Sequence, residues 1–235
     1  MKKPNLLFPI VILLLLIVSV SCKDENEPTQ PENTVKDIDG NIYKTVKIGD
    51  QVWMAENLKV THYRNGEEIV PTDSSNYHYL YEGSCYDYAK KADNSLVYGK
   101  LYNWYAISDS RKIAPAGWHV PTNDEWLRLI CFLGGTNDTV TNMSLAGGKL
   151  KEANTEHWNI PNTGATDDAG FTALPGGYFD LFGSYERLNY GGYWWSSDEK
   201  DLVWADGWYI YTDDAWIRHI ETAKMSGYSV RCVKD

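Results

Sequence analysis

Five short β-type segments follow one another between Phe171 and Val233: FTALPGGYFD, GGYWWSSDE, LVWADGWYIY, AWIRHIE and GYSVRCV. Each is rich in aromatic and β-branched residues and is bounded by Gly, Pro, Asp or Ser, the composition of strands and turns. Strands in unbroken succession exclude the alternating strand–helix order of a parallel α/β fold. The last third of the chain therefore builds mainly short antiparallel strands, and the rest of the fold has to pack against them.

Two further signals complete the class. In DIDGNIYKTVKIGDQVWMAENL (37–58), Ile42, Val46, Ile48, Val52 and Met54 alternate with polar residues, and Gly40 and Gly49 mark turns, which predicts a hairpin or small meander. In PTNDEW, Thr122 and Glu125 have the spacing of a capping box, and Asp124 adds negative charge at the positive end of the helix. That helix runs to about Leu133 with Trp126, Leu129, Ile130 and Leu133 as its core stripe, and Gly134-Gly135 ends it. A second helix is predicted over Val97–Ala106, with Tyr98, Leu101, Tyr102 and Tyr105 on one face. Residues 153–170 read as a long loop. The expectation is an α+β domain with two main helices.

The beginning of the chain has a different character. Lys2 and Lys3 precede an apolar run, Leu6–Val18, too short to span a bilayer. Ser19-Val20-Ser21-Cys22 resembles a bacterial lipobox, which makes 1–21 a lipoprotein signal and Cys22 the lipidated residue. Cys22-Lys23-Asp24-Glu25 resembles the signal that sends Bacteroidetes lipoproteins to the cell surface. Residues 22–34 hold charges and two prolines but no aromatic residue, so they read as a disordered tether. The expected location is the outer membrane, lipid-anchored and facing the exterior, with residues 35–235 as one domain. About 200 residues are enough for one well-packed core.

Charge limits the partners. Loss of Lys2 and Lys3 takes the formal charge from −10 to −12. An acidic chain without a basic cluster is not built for nucleic acid, and contact with the membrane is left to the lipid at Cys22.

No catalytic motif stands out: GxSxG and HExxH are absent, and the five histidines show no ligand spacing. His119 is a candidate general base, or else a packed histidine. A loop begun at Asp37 lacks the Glu that an EF-hand needs at its twelfth position, where Ile48 stands. Asn162, Asp167 and Asp168 are candidate ligands for a structural Ca²⁺, with Asx turns as the alternative; no other cofactor is expected. The 10 Trp and 17 Tyr against 5 Phe favour amphipathic contact surfaces. Tyr193, Trp194, Trp195, Trp204, Trp208 and Trp216 are the candidates for an exposed aromatic platform, and core packing is the competing use for each. With Cys22 acylated, Cys85, Cys131 and Cys232 remain, and one pair plus one free thiol is the simplest arrangement.

A family resemblance joins these pieces. IGDQVWMAENLK (48–59), YGKLYNWYA (98–106), AGWHVPTNDEW (116–126), GGKLKE (147–152), HWNIPNTGATDDAGFTALPGG (157–177), GYWWSSDE (192–199) and GYSVRCV (227–233) resemble, in order, the blocks of the Fibrobacter succinogenes major paralogous domain. That family is similar to C-type-lectin-like domains and more distantly to the formylglycine-generating enzymes. The resemblance implies a C-type-lectin-like fold, with paired terminal strands and a long loop region before the last strands. It also implies a Cys131–Cys232 disulfide with Cys85 free, although Ala114 and Ser95 stand where the family often or sometimes has cysteine. Only Cys232 lies where the formylglycine-generating enzymes use a cysteine pair for copper, so that chemistry is not expected. The carboxylate triplet of sugar-binding lectins is missing too, since Ile160-Pro161-Asn162 keeps only the Pro-Asn. The function expected is recognition or adhesion without catalysis, toward a glycan or a protein. The alternatives are a structural coat protein without a dedicated ligand and, further off, a hydrolase or oxidase.

Overall fold

A computed structural model describes residues 33–72, 81–135 and 143–235, which all belong to one compact unit, Pro31–Asp235. The signal 1–21, the lipidation residue Cys22 and nearly all of the tether lie outside the described residues.

The predicted hairpin is present. β1 (Thr34–Lys36), β2 (Ile42–Ile48) and β3 (Gln51–Met54) form a meander, with Val46 opposite Trp53 and the two-residue turn Gly49-Asp50 between β2 and β3. Tyr43 and Ile48, five residues apart, lie on opposite faces of β2 and enter different core clusters, while Lys44 and Lys47 stay exposed. The last strand, β14 (Val233–Lys234), joins this meander between β3 and β7 (Trp118–His119), with Val233 paired to both Trp53 and His119. Strands from the two ends of the described chain therefore share one sheet.

The capped helix is α3 (Asn123–Phe132). Thr122 Oγ1 accepts from the Glu125 amide and Glu125 Oε2 accepts from the Thr122 amide, so both arms of the box are made. At the other end Gly134 takes φ +84°; its amide donates to Cys131 O and the Gly135 amide to Ile130 O, the Schellman pattern. Trp126, Leu129 and Ile130 are buried, as their spacing predicts.

The helix expected over Val97–Ala106 is broken in two. α1 (Ala92–Tyr98) stops at Gly99, β6 (Leu101–Tyr102) follows, and α2 (Trp104–Ser108) starts anew with Asn103 accepting from the Ala106 amide. Gly99 has φ +80°, and a Cβ there would lie 2.6 Å from Asn57 Cβ. Close packing on Asn57 and Leu58 thus overrides the i, i+3, i+4 pattern. β6 pairs with β5 (Ser84–Tyr86), itself beside β4 (Val70–Pro71). α4 (Gly147–Leu150) is a single turn. The described residues hold four α-helices, not two, in an α+β fold.

The largest sheet runs β10 (Tyr185–Leu188), β9 (Gly176–Phe179), β11 (Gly191–Glu199), β12 (Trp204–Tyr211), β13 (Ile217–Ala223), β8 (Met143–Ser144). Its centre is antiparallel, with Tyr193 opposite Tyr209 and Tyr209 opposite Arg218; β9 joins β11 in parallel. Trp194 enters one core cluster with Trp53, Trp126, Phe171 and Trp208. Tyr193 and Trp195, its neighbours on β11, enter the other with Tyr43, Tyr102 and Tyr228. The two-residue period of the strand places a core on each face of β11.

No helix among the described residues is long and apolar enough to cross a membrane.

Candidate functional site

The proposed tryptophan platform is corrected by burial. Tyr193, Trp194, Trp195 and Trp208 are all buried. Their polar ends are satisfied inside: Trp194 Nε1 donates to Asn57 Oδ1 (2.8 Å), Trp195 Nε1 to Tyr102 O (2.6 Å) and Trp208 Nε1 to Asn123 Oδ1 (3.0 Å). Trp216 is half-buried. Trp204 alone of the six is exposed, at 42%, beside Leu202 and Val203 where β11 turns into β12.

The partly exposed aromatic surface is made of tyrosines. On β12, Trp208 and Ile210 point into the core, so Tyr209 and Tyr211 stand on the opposite face. Across four strands the rings continue in one row. Tyr178 lies 4.6 Å from Tyr193, Tyr193 lies 5.7 Å from Tyr209 at 20° to it, and the Arg218 guanidinium carbon is 5.8 Å from the Tyr209 ring centre. Tyr211 extends the row, 4.9 Å from Tyr209, and Tyr190 lies 5.3 Å from Tyr211. Tyr178, Tyr190, Tyr209 and Tyr211 are half-buried, with Tyr193 beneath them. Arg187 lies over Tyr190 at 4.9 Å.

The row is held by its edges. Arg218 makes a bidentate pair with Asp214, and Tyr190 donates to Asp213 Oδ2 at 2.7 Å. Lys151 is fully buried behind it and donates to the carbonyls of Thr163, Tyr211 and Asp214. Burial pulls the Lys151 ammonium down to about 8, partly opposed by Asp214 and Asp213. Burial also raises the hydroxyls of Tyr178, Tyr193 and Tyr209 above the usual phenol range, so they remain neutral hydrogen-bonding groups. Such a face offers ring edges, hydroxyls and two guanidinium groups on a rigid sheet, the composition of contact surfaces rather than of a reaction centre.

The remaining predicted groups separate. Asp167 accepts from the Thr172 amide (2.7 Å) and hydroxyl (2.7 Å), so its carboxylate is committed to a turn. Asn162 is buried, donating to the carbonyls of Glu152 and Asn154, and Asp168 is exposed. The three calcium candidates thus differ in burial and in partners. A different trio comes together: Glu152, Glu156 and His157 place ligand atoms within 4.8 Å of one another. Glu152 also lines a cleft of about 220 Å³ with Lys44, Glu56, Asn57, Tyr98 and Arg231.

His119 is not placed as a base. Its Nδ1 lies 2.6 Å from Asp235 Oδ1 and its Nε2 2.9 Å from Glu125 Oε1. Burial lowers its pKa, but the two carboxylates outweigh that and the net shift is upward. An imidazolium donating at both nitrogens has no lone pair for proton abstraction. The Cys131–Cys232 bridge is also absent: both thiols are free, Cys131 exposed on α3 and Cys232 fully buried in the core. Cys85 is free as well, so the expected arrangement of one pair and one free thiol is not formed.

The tyrosine face could have been found from the sequence by reading WYIY as an alternation. Once Trp208 and Ile210 fill one core, Tyr209 and Tyr211 have to stand on the opposite face of β12. Arg218 gives no such local signal, because its place in the row depends on the register of β12 and β13.

A family model described as the Fibrobacter succinogenes major domain matches residues 46–234. No curated protein and no solved structure matches the chain.

Proposed function

The chain belongs to the Fibrobacter succinogenes major domain family, and on that premise we propose that it is a non-catalytic recognition domain on a surface lipoprotein. The observation that carries the reading is the row Tyr178–Tyr193–Tyr209–Arg218 with its margin of Tyr211, Tyr190 and Arg187. Tyrosine and arginine are the residues that anchor protein interfaces, because they combine large contact area with hydrogen bonding. A partner protein fits this broad face better than a monosaccharide does, and a glycan is the competing ligand. The C-type-lectin-like architecture belongs to this proposal; support for it comes from the terminal strands shared in one sheet and the long stretch between α4 and β9 without strand or helix.

The anchor is Cys22 and the location is the outer membrane, facing outward. Replacement of Cys22 by serine is expected to abolish labelling with palmitate and release the protein. Protease treatment of intact cells is expected to digest the domain; protection from it would place the domain on the inner face.

Recognition is tested by probing protein and glycan arrays with the full chain. Saturable binding to a protein partner that is lost in Tyr209→Ser and Tyr211→Ser, with cooperative unfolding retained, is the expected result. Binding confined to glycans would replace the ligand class, and silence across both arrays would favour a coat role.

A further inference from the structure

The loop leaving α4 carries Glu152, Glu156 and His157, whose ligand atoms all lie within 4.8 Å of one another. His157 Nδ1 is 2.8 Å from Glu152 Oε1 and 3.0 Å from Oε2. A tetrahedral zinc ion with bonds of about 2.0–2.2 Å holds its ligand atoms roughly 3.3–3.5 Å apart. Glu152 and His157 need to part by only a few tenths of an ångström to reach that spacing, and Glu156 is exposed and free to adjust.

Two of the three are already fixed in place. The Glu152 amide donates to Ala173 O. The His157 carbonyl accepts from Asn189 Nδ2 (2.7 Å), which also donates to Tyr98 Oη (2.7 Å), and the His157 ring stands edge-on to Tyr98 at 5.7 Å. A separate observation comes from Asn162, only 6% exposed. Its Nδ2 donates to the Glu152 carbonyl at 3.0 Å, while its Oδ1 is buried without a hydrogen-bond partner. An orphaned amide oxygen costs about 1–3 kcal/mol, so the residue that holds the Glu152 backbone keeps one unmet acceptor.

His119 gives the contrast. It too contacts two carboxylates, but through opposite ring nitrogens, so Glu125 and Asp235 cannot share one ion with it. At His157 the ligand atoms converge.

We propose that Glu152, Glu156 and His157 form a binding site for a divalent transition-metal ion of the zinc class. One imidazole with two carboxylates suits such an ion, whereas calcium prefers six to eight oxygens. The ion would join residues 152–157 into one staple beneath the Asn189 contact. This site is independent of the tyrosine face.

The test is calorimetric titration of the full chain with ZnCl₂ at neutral pH, with CaCl₂ as comparison. One saturable zinc site is expected, weakened at least tenfold in Glu156→Gln and in His157→Gln, unchanged in His119→Gln, and not matched by calcium. Zinc is also expected to raise the Tm of the wild type but not of Glu156→Gln; Glu156 is exposed, so that variant keeps its fold. No uptake by the wild type, uptake that survives His157→Gln, or uptake lost in His119→Gln overturns the assignment.

Discussion

Tyr193 and Tyr209 face each other across β11 and β12, with ring centres 5.7 Å apart and planes 20° from parallel. On the same strand Trp208, one residue away, stacks in the opposite core 6.3 Å from Trp126. Adjacent aromatic residues therefore carry different loads. Trp208→Ala is expected to destabilise the domain by about 3–5 kcal/mol. Tyr209→Ala, which loses a half-exposed ring pair, is expected to cost about 1 kcal/mol. Urea unfolding of the two variants checks the assignment, and equal losses would place Tyr209 in the core.

His119 bridges the start of α3 to Asp235, and its raised pKa sets a pH dependence. A histidine whose folded pKa lies above its unfolded value adds stability at acid pH. That contribution is complete below the unfolded pKa of about 6.5 and disappears as pH rises through the higher folded one. His119→Gln is thus expected to be destabilised near pH 5.5 and close to wild type near pH 8. The ring is partly exposed and screened, so the loss at acid pH is about 0.5–1 kcal/mol, the scale of surface ion pairs. NMR titration of His119 should give a pKa above that of a model histidine, and Asp235→Asn should lower it.

At the same helix end, Thr122→Ala removes one arm of the capping box and leaves the Glu125 amide without its side-chain acceptor. The expected loss is about 1 kcal/mol. Glu125→Ala should lose more at acid pH than at pH 8, because Glu125 also accepts from His119. Thermal unfolding of both variants at the two pH values measures the difference, and an equal loss at both would separate the cap from the histidine.

What could be read in the sequence was what a few neighbouring residues decide. The α3 box, its glycine stop and the β2–β3 hairpin are local, and each is found where the pattern places it, although Ile42 of the expected apolar face is exposed and Tyr43 and Trp53 are buried. Gly99 broke the expected 97–106 helix because Asn57, far away in sequence, packs against its backbone. The Trp194-Trp195 pair looked half-exposed because a strand presents alternate faces; both are buried since β11 has a core on each side. β10 (Tyr185–Leu188) gave little signal, being a short edge strand that depends on β9 for its bonds. Arg218 and the Glu152–Glu156–His157 group owe their places to register and loop path, which no short window of sequence contains.

Thiol chemistry tests the cysteine arrangement. Joining Cys131 to Cys232 would require the exposed face of α3 to turn inward, withdrawing Trp126, Leu129 and Ile130 from the core they fill. With Cys22 acylated, the three cysteines of the described residues should instead show one thiol, Cys131, open to a water-soluble reagent. Cys85 and Cys232 are buried, and burial pushes the Cys85 thiol up to about 12 and that of Cys232 higher still. Since the thiolate is the reacting form, both should react only as fast as the domain unfolds. Reaction followed in buffer and then in denaturant should give one thiol followed by two more, with no effect of prior reductant. A single reactive thiol in denaturant, rising to three only after reduction, would restore the bridge; and because α3 would then have to be rotated, Thr122→Ala should also lose its expected cost.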